Sequence, residues 1–304
     1  MAERRAFATA GEFMPPPERE PFARRFSIEA TRPSEAEIAA LAATLPPGTA
    51  VYLSAVPSLG PAELVTAAAR LRKAGLEPVA HIAARRLAGA GQLRELLKAL
   101  RGEAGMRQLL VIGGDVEAGG PFTDALAVIQ KGGLRDAGIE AVGIAAYPEG
   151  HSRIQAERLE SALDEKIASA TAQGLGVHIV SQFSFSPERV LAFLRQLRGC
   201  GIAVPVKVGM AGPTSVPALL RYARRCGVTA SLRGLMTGAV SGLVGHVGPG
   251  RMIEALAAAS GPGAALGDIA PHYFSFGGVV ETACYACEAS RLTQPPSRAM
   301  AHPN

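Results

Sequence analysis

The sequence predicts an α/β chain folded as a single (β/α)8 barrel of the TIM type. Three observations carry that expectation. Short apolar, β-like runs recur about eight times from Phe26 onward. Helical patterns with readable caps separate most of them. The first run leads into Thr31-Arg-Pro-Ser34, not into the Gly-rich turn that opens a doubly wound dinucleotide-binding sheet. Alternating strands and helices indicate a parallel sheet, and eight such units over roughly 280 residues suit a closed barrel.

The runs fall at about 26–31, 50–56, 77–83, 108–114, 140–146, 176–183, 204–210 and 268–276. Apolar runs of this length read as buried strands. Ser34-Glu-Ala-Glu37 is a capping box and predicts a helix through Leu45. Pro61-Ala-Glu-Leu64 opens a helix that stops at Gly75, where a left-handed cap favours glycine. Ser186-Pro-Glu188 combines an N-cap, a proline in the first turn and an acid that complements the helix dipole. Ala218 to Cys226 predicts a further helix, while the Gly-rich stretch 229–250 interrupts the alternation. Residues 1–24, rich in Pro, Arg and Glu (Met14-Pro-Pro-Pro-Glu-Arg-Glu20), predict a flexible arm ahead of a barrel over 25–304.

The chain has 304 residues, 48% of them hydrophobic, enough for one large core. No apolar stretch approaches the ~18 residues of a membrane span. The charged N-terminus lacks a signal-peptide core, which predicts a cytoplasmic protein. The net charge is +5 and favours anionic ligands. Aromatics are only 5%, tryptophan is absent, and no recognition motif accompanies the basic residues, so a nucleic-acid partner is not expected. Cys284-Tyr-Ala-Cys287 has C-x-x-C spacing, but no second ligand pair matches it, so no metal is expected. Self-association into a homo-oligomer is left open.

Three polar residues end apolar runs: Glu29, Asp115 and Gln182. A carboxylate or amide there is costly to bury without a partner or a task, and in a parallel barrel the strand ends converge on the face where chemistry is done. Glu29 shares a strand face with Ser27 and Thr31. It is a candidate general acid or base, or a structural carboxylate bonded to a neighbouring strand's Lys or His. Asp115 follows Gly113-Gly114, glycines that let a flat ligand approach the backbone. It suits a cation stabiliser, although position alone favours a turn or N-cap. Gln182, followed by Phe183, offers an amide for the edge of a heterocycle or for the backbone. His81 is another strand-end residue, and Tyr147-Pro-Glu-Gly-His151 runs a strand end into a polar turn. His151 and Glu149 lack a third metal ligand of characteristic spacing. No nucleophile elbow, Walker loop or zinc-protease helix occurs.

From about residue 24 to 290 these motifs, in order, resemble the methylenetetrahydrofolate reductases. Glu29 lies on what looks like that family's acid-bearing first strand. Pro78-Val-Ala-His81 resembles its Pro-x-x-His, Gly114-Asp115 its Arg-Gly-Asp, and Ala145-Ala-Tyr-Pro-Glu-Gly-His151 its Ala-x-Tyr-Pro-Glu-x-His. Ser181-Gln-Phe-Ser-Phe185 resembles Thr-Gln-Phe-x-Phe, and His272-Tyr-Phe274 sits where a final His-Phe-Tyr is expected. The resemblance implies a FAD-bearing barrel that reduces 5,10-methylenetetrahydrofolate to 5-methyltetrahydrofolate with NAD(P)H by ping-pong hydride transfer. Whether it serves methionine biosynthesis or runs as methyl-folate oxidation in one-carbon catabolism is left open. It implies Glu29 as the acid, a role suited to a carboxyl raised by an apolar wall, and Asp115 as stabiliser of an iminium cation and neighbour of the flavin. Gln182 and Phe183 would meet the folate. His81, Gly113, Gly114, Tyr147 and His151 would line the flavin site, and Lys166 would meet its phosphates.

The departures are equally specific. Gly113 replaces the family's Arg before Gly-Asp, and Ala30-Thr-Arg-Pro33 replaces an aromatic-proline tail. Gly212-Pro-Thr-Ser-Val216 stands where a nicotinamide-stacking aromatic is usual. Gly277-Gly278 stands where an Arg meets the folate tail. They keep two other readings in play, a folate-binding accessory protein and a folate-dependent methyltransferase on the same barrel.

Overall fold

A computed structural model describes residues 22–56, 60–226, 228, 246–260 and 265–292. Eight parallel strands close into a barrel: β1 (Ser27–Ala30), β2 (Ala50–Leu53), β3 (Glu77–Ala83), β4 (Gln108–Ile112), β5 (Ala141–Ala146), β6 (Gly176–Ser181), β7 (Val206–Ala211) and β10 (Ile269–Phe274). The closure pairs β1 with β10, Ser27 beside His272 and Glu29 beside Phe274. All eight expected strands are present, so the single-domain TIM-barrel fold read from the sequence is the observed one. A separate antiparallel pair, β8 (Thr214–Ser215) and β9 (His246–Val247), follows the seventh barrel strand.

The helices are α1 (Glu35–Thr44), α2 (Pro61–Lys73), α3 (Ala90–Ala104), α4 (Ala125–Lys131), α5 (Ala156–Ala172), α6 (Pro187–Gly199), α7 (Val216–Cys226), α8 (Gly250–Ala259) and α9 (Val279–Leu292). Local chemistry sets their ends. Ser34 and Glu37 form both halves of the capping box on α1. Ser186 caps α6 by accepting from the Arg189 amide. Gly75, past the end of α2, sits at φ +81°, a left-handed angle that a side chain would strain. Cys284 and Cys287 lie on α9 as free thiols.

Three residues expected to belong to the arm are folded onto the barrel. Phe22–Arg24 form a 3-10 turn with Phe22 and Ala23 buried, packed against β10 and α9. Residues 1–21, and most of the Gly-rich stretch 229–250, lie outside the described residues. Among the described residues no helix is long and apolar enough to cross a membrane, and no group of three His, Cys, Asp or Glu side chains could hold a metal ion.

Side chains alternate across each strand. The outward set, including Ile28, Ala30, Val51 and Leu53, packs under the helices in the main core. Tyr52, Val79, Leu110 and Val180 form a separate cluster inside the barrel. Strand register puts Ser27, Glu29, His81, His178, Lys207 and His272 on that same inner face. Barrel interiors are usually filled by branched apolar residues; this one is threaded with titratable groups. Gly143 makes room for one of them, since a Cβ there would lie 2.8 Å from His178 Nε2.

Candidate active site

The C-terminal ends of the strands open into a cavity of about 1870 Å³. Glu29, His81, Gly113, Gly114, Asp115, Tyr147, His151, Lys166 and Gln182 all line it. Closure of the barrel therefore gathers nine of the ten expected residues onto one surface. The tenth, Phe183, is fully buried and does not line the cavity. It packs edge-on against Phe274 and Phe276, which do. Its contribution is to support that wall.

Glu29 is the focus of the cavity floor. Ser54 Oγ donates to its Oε1 at 2.6 Å. His81 Nε2 and His272 Nε2 each stand 3.6 Å from its Oε2, on opposite sides in the strand order. Both imidazole nitrogens are buried with no hydrogen-bond partner among the described residues. An apolar surrounding alone does not set the charge of this carboxyl. Burial pushes the carboxyl's pKa upward, but the flanking imidazoles and the Ser54 hydroxyl outweigh it and hold it below the ordinary carboxylate value. Both histidines are pushed down, chiefly by burial. The cavity thus holds a carboxyl drawn toward its ionised form between two imidazoles that burial draws toward their neutral form. The two readings of Glu29, chemical group and structural carboxylate, meet in one arrangement, since its strand neighbours are histidines and it faces the cavity.

Asp115 lies on the rim, its side chain 53% exposed, in an ion pair with Arg86 from the 3-10 turn after β3. Gly114 has φ +94°, so the turn before Asp115 needs glycine for its backbone. At Gly113 an added Cβ would meet nothing within 4 Å, which leaves the end of β4 bare toward the cavity. Gln182 Oε1 accepts from the Phe183 amide at 3.1 Å, leaving the Nε2 hydrogens as the part of the side chain suited to a ligand. Tyr147 and His151 meet edge-to-face at 5.0 Å between ring centres. Lys166, on α5, is a partly buried cation whose pKa burial lowers, with Asp124 and Glu165 opposing.

Sequence reading missed Ser54, which follows β2, and Arg86. It placed His272 in a motif without assigning it to the site. Ser54 and Arg86 share a position just beyond a strand end, next to a candidate in the barrel order, whereas His272 lies within β10. Tyr222 of α7 stacks on Phe276 at 4.2 Å, and both line the cavity. The glycines in place of the tail-binding Arg have a steric reason. A Cβ at Gly277 would sit 2.2 Å from the Pro213 carbonyl oxygen, and Gly278 has φ +138°.

The chain is similar to proteins of known structure. An uncharacterized protein from Clostridium thermocellum that binds two copies of 5-methyl-5,6,7,8-tetrahydrofolic acid is similar in fold, with TM-score 0.54 and 11% identity over 88% of this chain and 94% of that one. Dihydropteroate synthase from Thermus thermophilus aligns with TM-score 0.48 and 16% identity over 88% and 93% of the two chains. Residues 12–232, more than two thirds of the chain, match the family model of methylenetetrahydrofolate reductase. On that match the chain belongs to the methylenetetrahydrofolate reductase family.

Proposed function

We propose that this protein is a flavin-dependent methylenetetrahydrofolate reductase that interconverts 5,10-methylenetetrahydrofolate and 5-methyltetrahydrofolate with NAD(P)H as hydride source. The observation that carries the reading is Glu29, a cavity-facing carboxylate at the barrel mouth held by Ser54, His81 and His272, in a chain of that family.

The cavity suits a flavin. At about 1870 Å³ it exceeds the ~300–1,000 Å³ of a typical small-ligand pocket, part of the volume lying between α5 and α6, where Gln196, Cys200 and Ile202 line it. Gly113 leaves backbone open to a flat ring, Gly114 supplies the turn beside it, Tyr147 and His151 add aromatic wall, and Lys166 supplies a cation for phosphate. When bound, FAD carries hydride between nicotinamide and folate in separate half-reactions, a ping-pong sequence.

The chain's own residues supply the rest. A planar ligand over the mouth strips water from Glu29 and strengthens burial, already the largest influence on its pKa and one that raises it. That change lets Glu29 hold a proton and deliver it to the folate nitrogen that leaves as the five-membered ring opens. Asp115 places negative charge near the resulting cation, and Arg86 anchors Asp115. Gln182 orients the pterin edge through its amide hydrogens. In the oxidative direction Glu29 acts as the base.

The test is purification followed by spectroscopy. The expected product is a yellow protein whose flavin spectrum is bleached by NAD(P)H and restored by methylenetetrahydrofolate. A colourless protein that takes up no FAD, or a bleached flavin that folate does not reoxidise, would reject the proposal.

A further inference from the structure

Beneath Glu29, inside the barrel, a second polar contact has no place in the chemistry above. Ser27 Oγ lies 2.9 Å from His272 Nδ1, and both residues are completely buried. The other ring nitrogen, Nε2, stands 3.6 Å from Glu29 Oε2 and has no hydrogen-bond partner among the described residues. One ring therefore spans the distance between a buried hydroxyl and the carboxylate at the cavity floor.

A neutral imidazole carries one hydrogen, and the two placements are unequal here. With the hydrogen on Nδ1, the lone pair of Nε2 faces a carboxylate oxygen, acceptor against acceptor in a buried space. With it on Nε2, the ring presents a donor to Glu29, and Nδ1 accepts the Ser27 hydroxyl. Only the second placement gives every polar atom a complementary neighbour.

Burial favours the neutral ring. Tyr52 of β2 meets it edge-to-face at 4.7 Å. Lys207 of β7 and His178 of β6 face it from below, and Glu29 of β1 and His81 of β3 from above. The Lys207 ammonium lies 5.9 Å from the centre of the Tyr52 ring. Burial is the main force against an imidazolium, the Lys207 charge adds to it, and Glu29 opposes both.

We propose that Ser27 and His272 are a positioning pair: Ser27 locks His272 as the neutral Nε2–H tautomer, and His272 presents that hydrogen to Glu29 as a fixed donor that steadies the ionised carboxylate. The consequence for turnover rests on the reading of Glu29 as the acid. The pair would set how readily Glu29 takes up the proton it delivers, without touching substrate.

Two measurements on the full-length protein without folate test the pair. Nitrogen NMR of histidine-labelled protein, with His272→Gln to assign the signal, should show His272 as the neutral Nε2–H tautomer between about pH 6 and 8. An Nδ1–H tautomer or an imidazolium in that range overturns the proposal. Infrared titration of the Glu29 carboxyl, assigned with Glu29→Gln, should move up by roughly one pH unit in His272→Asn, whose shorter amide loses the donor to Glu29. In His272→Gln, whose amide nitrogen reaches the Nε2 position, it should return toward wild type. An unmoved midpoint in His272→Asn overturns the proposal. If that variant does not fold, Ser27→Ala removes a single oxygen and should abolish the single tautomer; an unchanged tautomer overturns the role of Ser27. Neither readout depends on turnover, so a protein with the expected tautomer and no folate activity would sink the functional reading alone. A folate reductase with the wrong tautomer would sink only the positioning pair.

Discussion

Replacing Ser54 with Ala removes the hydroxyl that, among the described residues, donates to the Glu29 carboxylate. Ser54 has a single hydrogen, and its 2.6 Å contact to Glu29 Oε1 is far shorter than its 3.4 Å contact to the Ala30 carbonyl. Thr31 Oγ1, 2.9 Å from Ser54 Oγ, is then the donor of that pair. A hydrogen bond to a charged group contributes ~1.5–3 kcal/mol. Glu29 keeps 16% of its side-chain surface exposed, and water entering the vacated space recovers part of the loss, so about 1–2 kcal/mol is expected. At 1.36 kcal/mol per pKa unit this raises the carboxyl by about one unit. The sign follows from the folded state holding Glu29 below its ordinary value. Its contribution to stability is present above the unfolded carboxylate pKa and disappears as pH falls through the folded one. Urea unfolding at neutral pH should show Ser54→Ala destabilised by about 1–2 kcal/mol. The gap should close as the carboxyl is protonated, with the infrared midpoint of Glu29 shifted upward. A gap that does not change as Glu29 protonates, or a midpoint that stays put, would show that Ser54 only fills space.

Two further outcomes follow from burial and from backbone geometry. Burial, helped by Lys207 and His272, pushes His178 down to about 3. The unfolded chain binds a proton below ~6.5 that the folded protein refuses, so acidification from neutral pH should cost up to about 1.4 kcal/mol per pH unit from this group. Urea titrations at pH 7 and 5.5 should show that loss in wild type and a smaller one in His178→Gln, and equal losses would refute the assignment. Gly277→Ala would place a Cβ 2.2 Å from the Pro213 carbonyl oxygen, an overpacking that costs roughly 1–3 kcal/mol. An unchanged urea midpoint would show that the loop yields freely, and that the absent tail-binding Arg has no steric cause.

The barrel was legible because its signals are local. Apolar runs, the Ser34 box, Pro61 and Ser186 each report on their own segment, and repetition does the rest. Glu29 and Gln182 were legible for a related reason, as polar groups at the ends of apolar strands. What surrounds Glu29 was not. Ser54 comes from the next strand and His272 from the last one, brought alongside only when β1 pairs with β2 and β10. That pairing spans nearly the whole chain, and no local pattern encodes which inward residue stands level with which. The same holds for Arg86, which reaches Asp115 across neighbouring strand ends. The influences that oppose burial at Glu29 come from three other strands for the same reason. Phe183, next to Gln182 in sequence, is buried behind Phe274 and Phe276 and does not line the cavity, a difference that adjacency in sequence does not reveal.

The central claim is that Glu29 handles the folate proton and takes no part in accepting hydride from the nicotinamide. Rapid mixing of Glu29→Gln, loaded with FAD, tests it most directly. The account predicts flavin reduction by NAD(P)H at the wild-type rate, together with reoxidation by methylenetetrahydrofolate slowed by at least about 10²-fold, the scale of a lost general acid. Wild-type rates in both half-reactions would contradict it.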